Sequence, residues 1–208
     1  LKHDCVKTLD RAAGAQFDST PLQIVPQGGT STDAISVIDV TSGTNTTTND
    51  TPLNKDHVKV TVDVMKQRNI PPYDNDEYMA IARPTTWRPM KNELEGVYQY
   101  RTEGFMMIYN GEIGKYEGVR FIEQTNIPVG YNFATGTSTP WTNDESDWAY
   151  FFGEDTVAEA LVVPEEMRGA IPADYGRAKG IAWYYLGGFA LTQRQASQAR
   201  ILKWSSAA

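Results

Sequence analysis

The sequence lacks the residues from which disulfide frameworks and metal sites are usually built. It has one cysteine, Cys5, and two histidines, His3 and His57, in 208 residues. A single cysteine excludes an internal disulfide framework. A structural zinc site needs about four ligands, so His3 and Cys5 do not form one alone and are interpreted as ordinary helix residues. The sequence therefore predicts no metal and no cofactor.

The sequence also lacks a long hydrophobic run and an excess of basic residues. Its longest uncharged apolar run, IAWYYLGGFAL at residues 181–191, is about half of the roughly 20 residues that a membrane-spanning helix requires. The net charge is −7, and no run of Lys and Arg interleaves with aromatic residues. Because a nucleic-acid-binding surface usually shows as a basic patch, this composition argues against one. It also predicts no membrane partner.

Motifs for catalysis are missing. A Ser–His–Asp site would have to use His3 or His57, and the chain contains no G-x-S-x-G sequence. The glycines of NGEIGKYEG match neither a phosphate-binding loop nor a dinucleotide-binding motif. We therefore predict that the protein is not an enzyme and has no catalytic and no cofactor-binding residues.

Acidic and aromatic residues leave two other functions open. Carboxylates at Glu165 and Glu166, and in the run Asp144, Glu145 and Asp147, have acid–base or calcium-binding chemistry. Their spacing does not match a calcium loop. We therefore favour the interpretation that these carboxylates lie on an exposed surface over the interpretations that they form a hydrolase site or a metal site. A β-rich carbohydrate- or ligand-binding module is the main alternative, motivated by Trp87, Trp141, Trp148 and the Tyr-rich strands.

The first half of the chain mixes helices with strand-like runs. Residues 3–17 predict a helix, because Val6, Leu9, Ala13 and Phe17 recur at helical spacing. The runs PLQIVP and ISVIDV predict extended segments, and polar residues 28–51 between and after them predict an exposed loop. That loop includes two glycosylation-type patterns, at Asn45 and Asn49.

A second helix is predicted to begin after Asn54, a good N-cap, with Leu53 and Val58 as a hydrophobic staple. The segment EYMAIAR then predicts a strand covered on both faces, and TTWRPMKNE a further helix after Pro84. Helical spacing continues to residue 108, and Asn110-Gly111 predicts a turn before a strand around Val119.

The last third predicts a long polar loop over residues 130–147, a short helix around VAEALV at 157–162, and two final strands. A helix over IAWYYLGGFAL would place two glycines in its interior, at about 1 kcal/mol each. We therefore predict a strand over 181–191 that is covered on both faces, with a bulge or close backbone approach at Gly187 and Gly188. RILKW at 200–204 is predicted to be its neighbour. Helices and strands that intersperse without strict alternation favour an α+β fold.

Several segments, in this order, resemble bacteriophage major capsid proteins of the N4-like family, which have the HK97-like capsid fold. They are NIPPYDNDEYMAIARP with Asn69, Pro71, Pro72 and the pair Arg83-Pro84, then NGEIG…GVRF from Asn110 to Phe121, then DYGRAKGIAWYYLGGFAL…ARILKW. The chain opens within a helical pattern and without an initiator methionine. On the resemblance, this predicts a processed product or the C-terminal part of a longer capsid protein.

The resemblance implies a structural protein of the virion, whose copies form hexamers and pentamers of an icosahedral head around double-stranded DNA. It implies the end of a spine helix in the peripheral domain at residues 1–25, an axial domain at 26–189, and a C-terminal strand returning to the peripheral domain at 190–208. Its partners would be other copies of itself, with scaffolding, portal or decoration proteins and non-specifically packaged DNA. It would be assembled in the host cytoplasm and reside in the capsid shell.

Overall fold

The computed structural model describes residues 1–26, 35–39, 52–73, 76–98, 114–127, 131–132, 137–138, 147–169 and 180–206. The helices are α1 (Lys2–Asp18), α2 (Lys55–Gln67) and α3 (Pro84–Tyr98). The first strands are β1 (Leu22–Pro26), β2 (Ile35–Asp39), β3 (Tyr78–Ala82), β4 (Lys115–Tyr116) and β5 (Val119–Glu123). The later strands are β6 (Tyr131–Asn132), β7 (Thr137–Ser138), β8 (Asp147–Phe152), β9 (Val157–Gly169), β10 (Ile181–Leu191) and β11 (Ile201–Ser206).

The start of α2 confirms the cap predicted from the sequence. The Asn54 side-chain oxygen accepts a hydrogen bond from the His57 backbone N–H at 2.9 Å, which satisfies one of the free donors of the first turn. Leu53 and Val58 are both buried there, as a hydrophobic staple requires. The helix ends at Gln67, before the two prolines that forbid its continuation.

A seven-stranded mixed sheet forms the centre of the fold, in the order β2-β1-β11-β8-β3-β5-β4. The pairs β1–β11 and β3–β5 are parallel, and the other neighbours are antiparallel. Strands β1 and β11, from opposite ends of the sequence, therefore lie side by side. The α+β class predicted from the sequence is confirmed.

Each face of this sheet is covered by a different hydrophobic cluster. On one face, α2 and α3 bury a cluster that includes Met65, Trp87, Phe151, Leu202 and Trp204. The other face carries the cluster Ile127, Trp148, Tyr150, Phe152 and Ile201, against which the end of α1 packs. Alternate residues of β11 point to opposite faces, as a strand requires, so the alternation predicted for RILKW is confirmed.

Strands β9 and β10 form a separate long antiparallel hairpin. The short helix predicted around VAEALV is wrong, because residues 157–161 pair with Gly187–Leu191 as part of β9. This pairing joins segments that are distant in sequence, and it favours a strand over residues 157–162 because their local preference for a helix is weak. Pro164, two residues further on, also cannot continue a helix.

The strand predicted over IAWYYLGGFAL is confirmed, but two of its expected contacts are wrong. Its neighbour is β9, whereas RILKW pairs with β1 and β8 in the large sheet. The expected burial of both faces is also wrong, because Ile181, Tyr184 and Leu186 are exposed in the chain. A strand pattern that is apolar on both faces predicts the strand itself. It does not show whether other parts of the same chain cover those faces.

Some predictions lie outside the described residues. These are the acceptor patterns at Asn45 and Asn49, the helical spacing from residue 99 to 108, the Asn110-Gly111 turn, Trp141, Asp144 and Glu145, and most of the predicted loop 130–147. Within that loop, β6 and β7 form a short antiparallel ladder.

Candidate interaction surface

Exposed apolar side chains concentrate on one part of the molecule, formed by α1, β9 and β10, which we call the hairpin layer. Among the described residues, ten large hydrophobic side chains are exposed, and seven of them belong to this layer. They are Val6, Leu161, Val162, Met167, Ile181, Tyr184 and Leu186, and Leu1, which directly precedes α1, is an eighth beside them. Scattered exposed apolar residues are ordinary, but a concentration on one layer is typical of an interaction surface.

Helix α1 joins this layer to the large sheet through the last turn of the helix. Phe17 lies edge-on to Phe152, with ring centroids 5.1 Å apart. Asp18 forms a buried ion pair with Lys203, and the Tyr150 hydroxyl donates to the same carboxylate at 3.3 Å. Burial, with Asp18 beside it, raises the pKa of Tyr150 well above its usual value. The carboxylate therefore has partners that offset its burial.

The outer part of α1 rests on the hairpin. The Trp183 indole N–H donates to Asp4 Oδ2 at 3.2 Å, which fixes the first turn of the helix on β10. Val6, expected to face the core, is 60% exposed. The apolar stripe predicted along α1 is therefore wrong at this position, and the residue adds to the exposed set.

The glycines of β10 have different surroundings, and one of them matches the predicted close approach. The ring of Tyr185 lies across Gly187, so a Cβ there would come within 2.4 Å of the tyrosine oxygen and 2.7 Å of the Ala160 carbonyl oxygen. Tyr185 continues over the strand to stack on Phe189 and donates from its hydroxyl to Glu159 Oε1 at 3.0 Å. The register also shifts next to Gly187, but the extra residue of this bulge is on β9, so the close approach is confirmed and the bulge lies on the neighbouring strand.

The charged groups of the hairpin lie on β9, and β10 has none. Glu166 accepts a hydrogen bond from Arg168 Nε at 2.6 Å, and the Arg168 guanidinium also lies 4.0 Å from the centroid of the Tyr184 ring. Glu159 and Glu165 are exposed on the same strand. The two predicted carboxylates, Glu165 and Glu166, are therefore part of a solvated strand.

A narrow cleft of about 100 Å³ lies between α1 and the second face of the large sheet. Its lining includes Gly14 and Phe17 of α1, with Ile127 below them. Asn126 closes one side by donating from Nδ2 to Asp10 Oδ2 at 2.6 Å. The volume suits small side chains or a few water molecules, so the cleft is a packing gap beneath the helix.

The tryptophans proposed as a carbohydrate platform do not form one in the described residues. Trp87 is fully buried and donates from its indole N–H to the Ile122 carbonyl oxygen at 3.2 Å. Trp148 is 5% exposed, and the Lys203 ammonium group lies 4.0 Å from the centroid of its ring. Because a sugar stacks on an accessible ring face, these two side chains are unsuited to that role.

The two histidines and the cysteine, which are the candidate soft metal ligands, do not lie close together. His57 is buried beside Trp204, with ring centroids 5.9 Å apart, and neither of its ring nitrogens has a hydrogen-bond partner. Burial lowers the pKa of His57 to about 4, against a smaller opposing effect of the Asp56 charge. His3 is exposed on α1, and Cys5 is buried on the same helix. Across the described parts of the chain, no three His, Cys, Asp or Glu side chains gather as metal ligands would.

None of the helices in the described segments is long and apolar enough to span a membrane.

A helix lying along a long two-stranded hairpin, beside a mixed sheet with helices on one face, defines the class of fold. It is the α+β architecture of the HK97-like capsid fold, as the order of segments in the sequence predicted. Comparison with solved structures agrees with this class.

The chain is similar to the head protein of Helicobacter pylori bacteriophage KHP40, with a TM-score of 0.62 and 13% identity over 97% of this chain and 65% of that one. It is similar to the capsid protein of cyanophage P-SCSP1u, with a TM-score of 0.60 and 12% identity over 97% of this chain and 62% of that one. For the mature capsid of bacteriophage PhiM1 the TM-score is 0.55, with 11% identity over 97% of this chain and 61% of that one.

At these identities the likeness shows the fold alone, and the chain spans less than two thirds of the length of these three capsid chains. No protein-family model matches the sequence. No curated protein matches it either.

Proposed function

We propose that this protein is a structural subunit of a phage capsid and has no enzymatic activity. The observation that carries the proposal is the concentration of exposed apolar side chains on the hairpin layer of a chain with this fold. A subunit that works only in a shell needs such a surface, because contacts with neighbouring copies take its apolar residues out of water. The similar structures are phage heads and capsids, and that role is carried over here as a proposal.

In its finer form, the proposal is a major capsid protein of the N4-like type. Its copies would form the hexamers and pentamers of an icosahedral head that encloses double-stranded DNA. Other copies would be its main partners, and scaffolding, portal or decoration proteins would bind the assembled shell. With a net charge of −7, the chain would contact packaged DNA only non-specifically. Assembly would take place in the host cytoplasm, and the protein would reside in the virion shell.

The domain division is proposed with changes from the sequence-based expectation at the hairpin and at the returning strand. Residues 1–25 would hold the end of the spine helix in the peripheral domain, and most of 26–189 would form the axial domain. The contact of Trp183 with Asp4 supports moving the whole hairpin, residues 157–191, to the peripheral domain with α1. The returning strand, expected in the peripheral domain as part of 190–208, is β11, and its pairing with β8 supports moving β11, together with its other neighbour β1, to the axial domain.

The carbohydrate-binding alternative is not favoured, because two of its three candidate tryptophans are buried and the third lies outside the described residues. Sedimentation velocity and a glycan array on the full-length gene product separate the two functions. We expect concentration-dependent species much larger than a 23.2 kDa chain, and no glycan binding. A single monomeric species that binds glycans would overturn the proposal.

A further inference from the structure

A polar cleft of about 260 Å³ lies where the end of α2 meets the connection between β10 and β11. Residues 68–71 line one side of this cleft, and Gln193 with residues 197–200 line the other. The two sides are joined where Arg68 Nη1 donates to the Ala196 carbonyl oxygen at 2.8 Å. Drug-sized ligands usually occupy pockets of about 300–1,000 Å³, so this cleft suits a smaller polar group.

The described lining of the cleft is rich in hydrogen-bond donors and includes no carboxylate. Two guanidinium groups line it, those of Arg68 and Arg200. The neutral polar side chains, which can donate from an amide or a hydroxyl, are Asn69, Gln193, Ser197 and Gln198. Two positive charges beside several neutral donors favour a ligand that is negatively charged and has several acceptor oxygens.

The sequence around this cleft departs from the acidity of the whole chain. The net charge is −7, yet the residues after Asp174 include five basic side chains and no acidic one. The connection itself, residues 192–200, has Arg194 and Arg200 and no carboxylate. Positive charge is therefore concentrated in this part of the chain, and such a concentration attracts small anions.

Arg200 keeps donors available although it already has an ion-pair partner. Its Nη1 donates to Asp155 Oδ2 at 3.0 Å and to the Glu154 carbonyl oxygen at 3.4 Å, and among the described residues its Nε and Nη2 have no acceptor. The Asp155 side chain is 68% exposed, so this ion pair holds the guanidinium only weakly. The edge formed by Nε and Nη2 can bind an oxyanion through two parallel hydrogen bonds.

The end of α2 opposes an anion less than an open helix C-terminus would. Carbonyl groups at a helix C-terminus carry partial negative charge. Here the backbone N–H groups of residues 68–70 donate to the carbonyl oxygens of Val64, Lys66 and Met65, at 3.0 Å each. These bonds satisfy the last carbonyl groups of the helix, which weakens their effect on a ligand in the cleft.

We propose that this cleft binds a small oxyanion of the phosphate type. A phosphate group has at least three acceptor oxygens and more than one negative charge near pH 7, so it uses two guanidinium groups and neutral donors together. A carboxylate, with two oxygens and one charge, uses fewer of them. A ligand that contacts both sides would tie residues 193–200 to the end of α2. The inference does not depend on the proposed capsid function.

Isothermal titration calorimetry of the full-length protein with inorganic phosphate, at constant ionic strength, tests the site. We expect saturable binding that is tighter than that of acetate and is weakened about tenfold in Arg200→Gln and in Arg68→Gln. The matched control is Arg194→Gln, because Arg194 is exposed on the same connection and does not line the cleft. Its phosphate affinity should stay within about twofold of the wild-type value.

Three results would overturn the inference and leave the proposed capsid function standing. They are no saturable binding of phosphate, binding of acetate that is as tight, and equal weakening in the three arginine variants. Urea unfolding curves check that each variant folds, and Arg200→Gln decides the outcome if Arg68→Gln does not fold. If the site holds, displacement of phosphate by a short oligonucleotide assigns it to a phosphate of nucleic acid, and absence of displacement assigns it to the free ion.

Hydrogen–deuterium exchange gives a second readout, because a general charge effect would not protect one segment. With saturating phosphate, we expect the amides of residues 193–200 to exchange more slowly in the wild-type protein and in Arg194→Gln. At the same phosphate concentration, Arg200→Gln should show much less protection. Unchanged exchange of this segment in the wild-type protein would contradict a ligand that joins the two sides of the cleft.

Discussion

The contrast between the two adjacent glycines of β10 gives the sharpest test of the hairpin. Gly187→Ala adds a Cβ where the Tyr185 oxygen would lie at 2.4 Å and the Ala160 carbonyl oxygen at 2.7 Å. Both distances are below what real Cβ contacts allow, so the ring of Tyr185 and the neighbouring strand must both move. Gly188→Ala is the matched control, because nothing lies within 4 Å of its added Cβ.

The magnitude follows from the contacts that Tyr185 loses when it moves. Its stack on Phe189 contributes about 0.5–1.5 kcal/mol, and its exposed hydrogen bond to Glu159 adds little in water. With the displacement of the neighbouring strand, this predicts that Gly187→Ala destabilises the hairpin by about 1–2 kcal/mol. Gly188→Ala is expected to change its stability by less than about 0.5 kcal/mol.

Native-state hydrogen exchange is the suitable assay, because the hairpin lies outside the large sheet, and such a unit is expected to open locally. A loss of about 1.5 kcal/mol makes amides of β9 and β10 exchange roughly tenfold faster, while amides of β8 and β11 keep their rates. Equal exchange in the two variants would refute the explanation of Gly187 by the crossing ring. Faster exchange in Gly188→Ala alone would refute it as well.

Three further predictions concern the rest of the fold, each measured by urea unfolding. Asn54→Ala removes the α2 cap and is expected to lower the free energy of unfolding by about 1 kcal/mol, and no change would contradict the capping role. Gly14→Ala, inside α1 with nothing within 4 Å of the added Cβ, is expected to raise it by about 1 kcal/mol, and a loss would contradict the open space there. His57 has a pKa of about 4 in the folded chain and 6.5 in the unfolded chain. As the pH drops from 6.5 to 4, the unfolded chain therefore binds a proton that the folded chain does not, and the free energy of unfolding falls. The loss reaches about 3 kcal/mol and should be absent in His57→Leu, and equal pH slopes in the two proteins would contradict the assignment.

Local signals in the sequence predicted the elements whose stability is decided locally. The Asn54 cap and the prolines after Asn69 define α2 without reference to the rest of the chain. The class of fold also followed from the order of segments. The alternation in RILKW correctly placed Leu202 and Trp204 on one face of the sheet.

Pairing between distant segments could not be predicted in the same way. VAEALV has helical spacing when considered alone, and becomes a strand because IAWYYLGGFAL lies beside it. β10 was expected to pair with β11 because the two strands are close in sequence. It pairs with β9 instead, and β11 pairs with β1 and β8. The exposed apolar surface was missed for a related reason, since Leu161 and Val162 were assigned to a helix. The signal that was available is Pro164, which interrupts any helix directly after the Val162-Val163 pair.

Electron microscopy of the purified full-length protein tests the central claim most directly. If the protein is a capsid subunit, we predict closed shells or rings of five and six subunits. The hairpin layer should lie at the contacts between neighbouring copies. Monomers that remain dispersed at high protein concentration, with the hairpin layer exposed to solvent, would contradict the account.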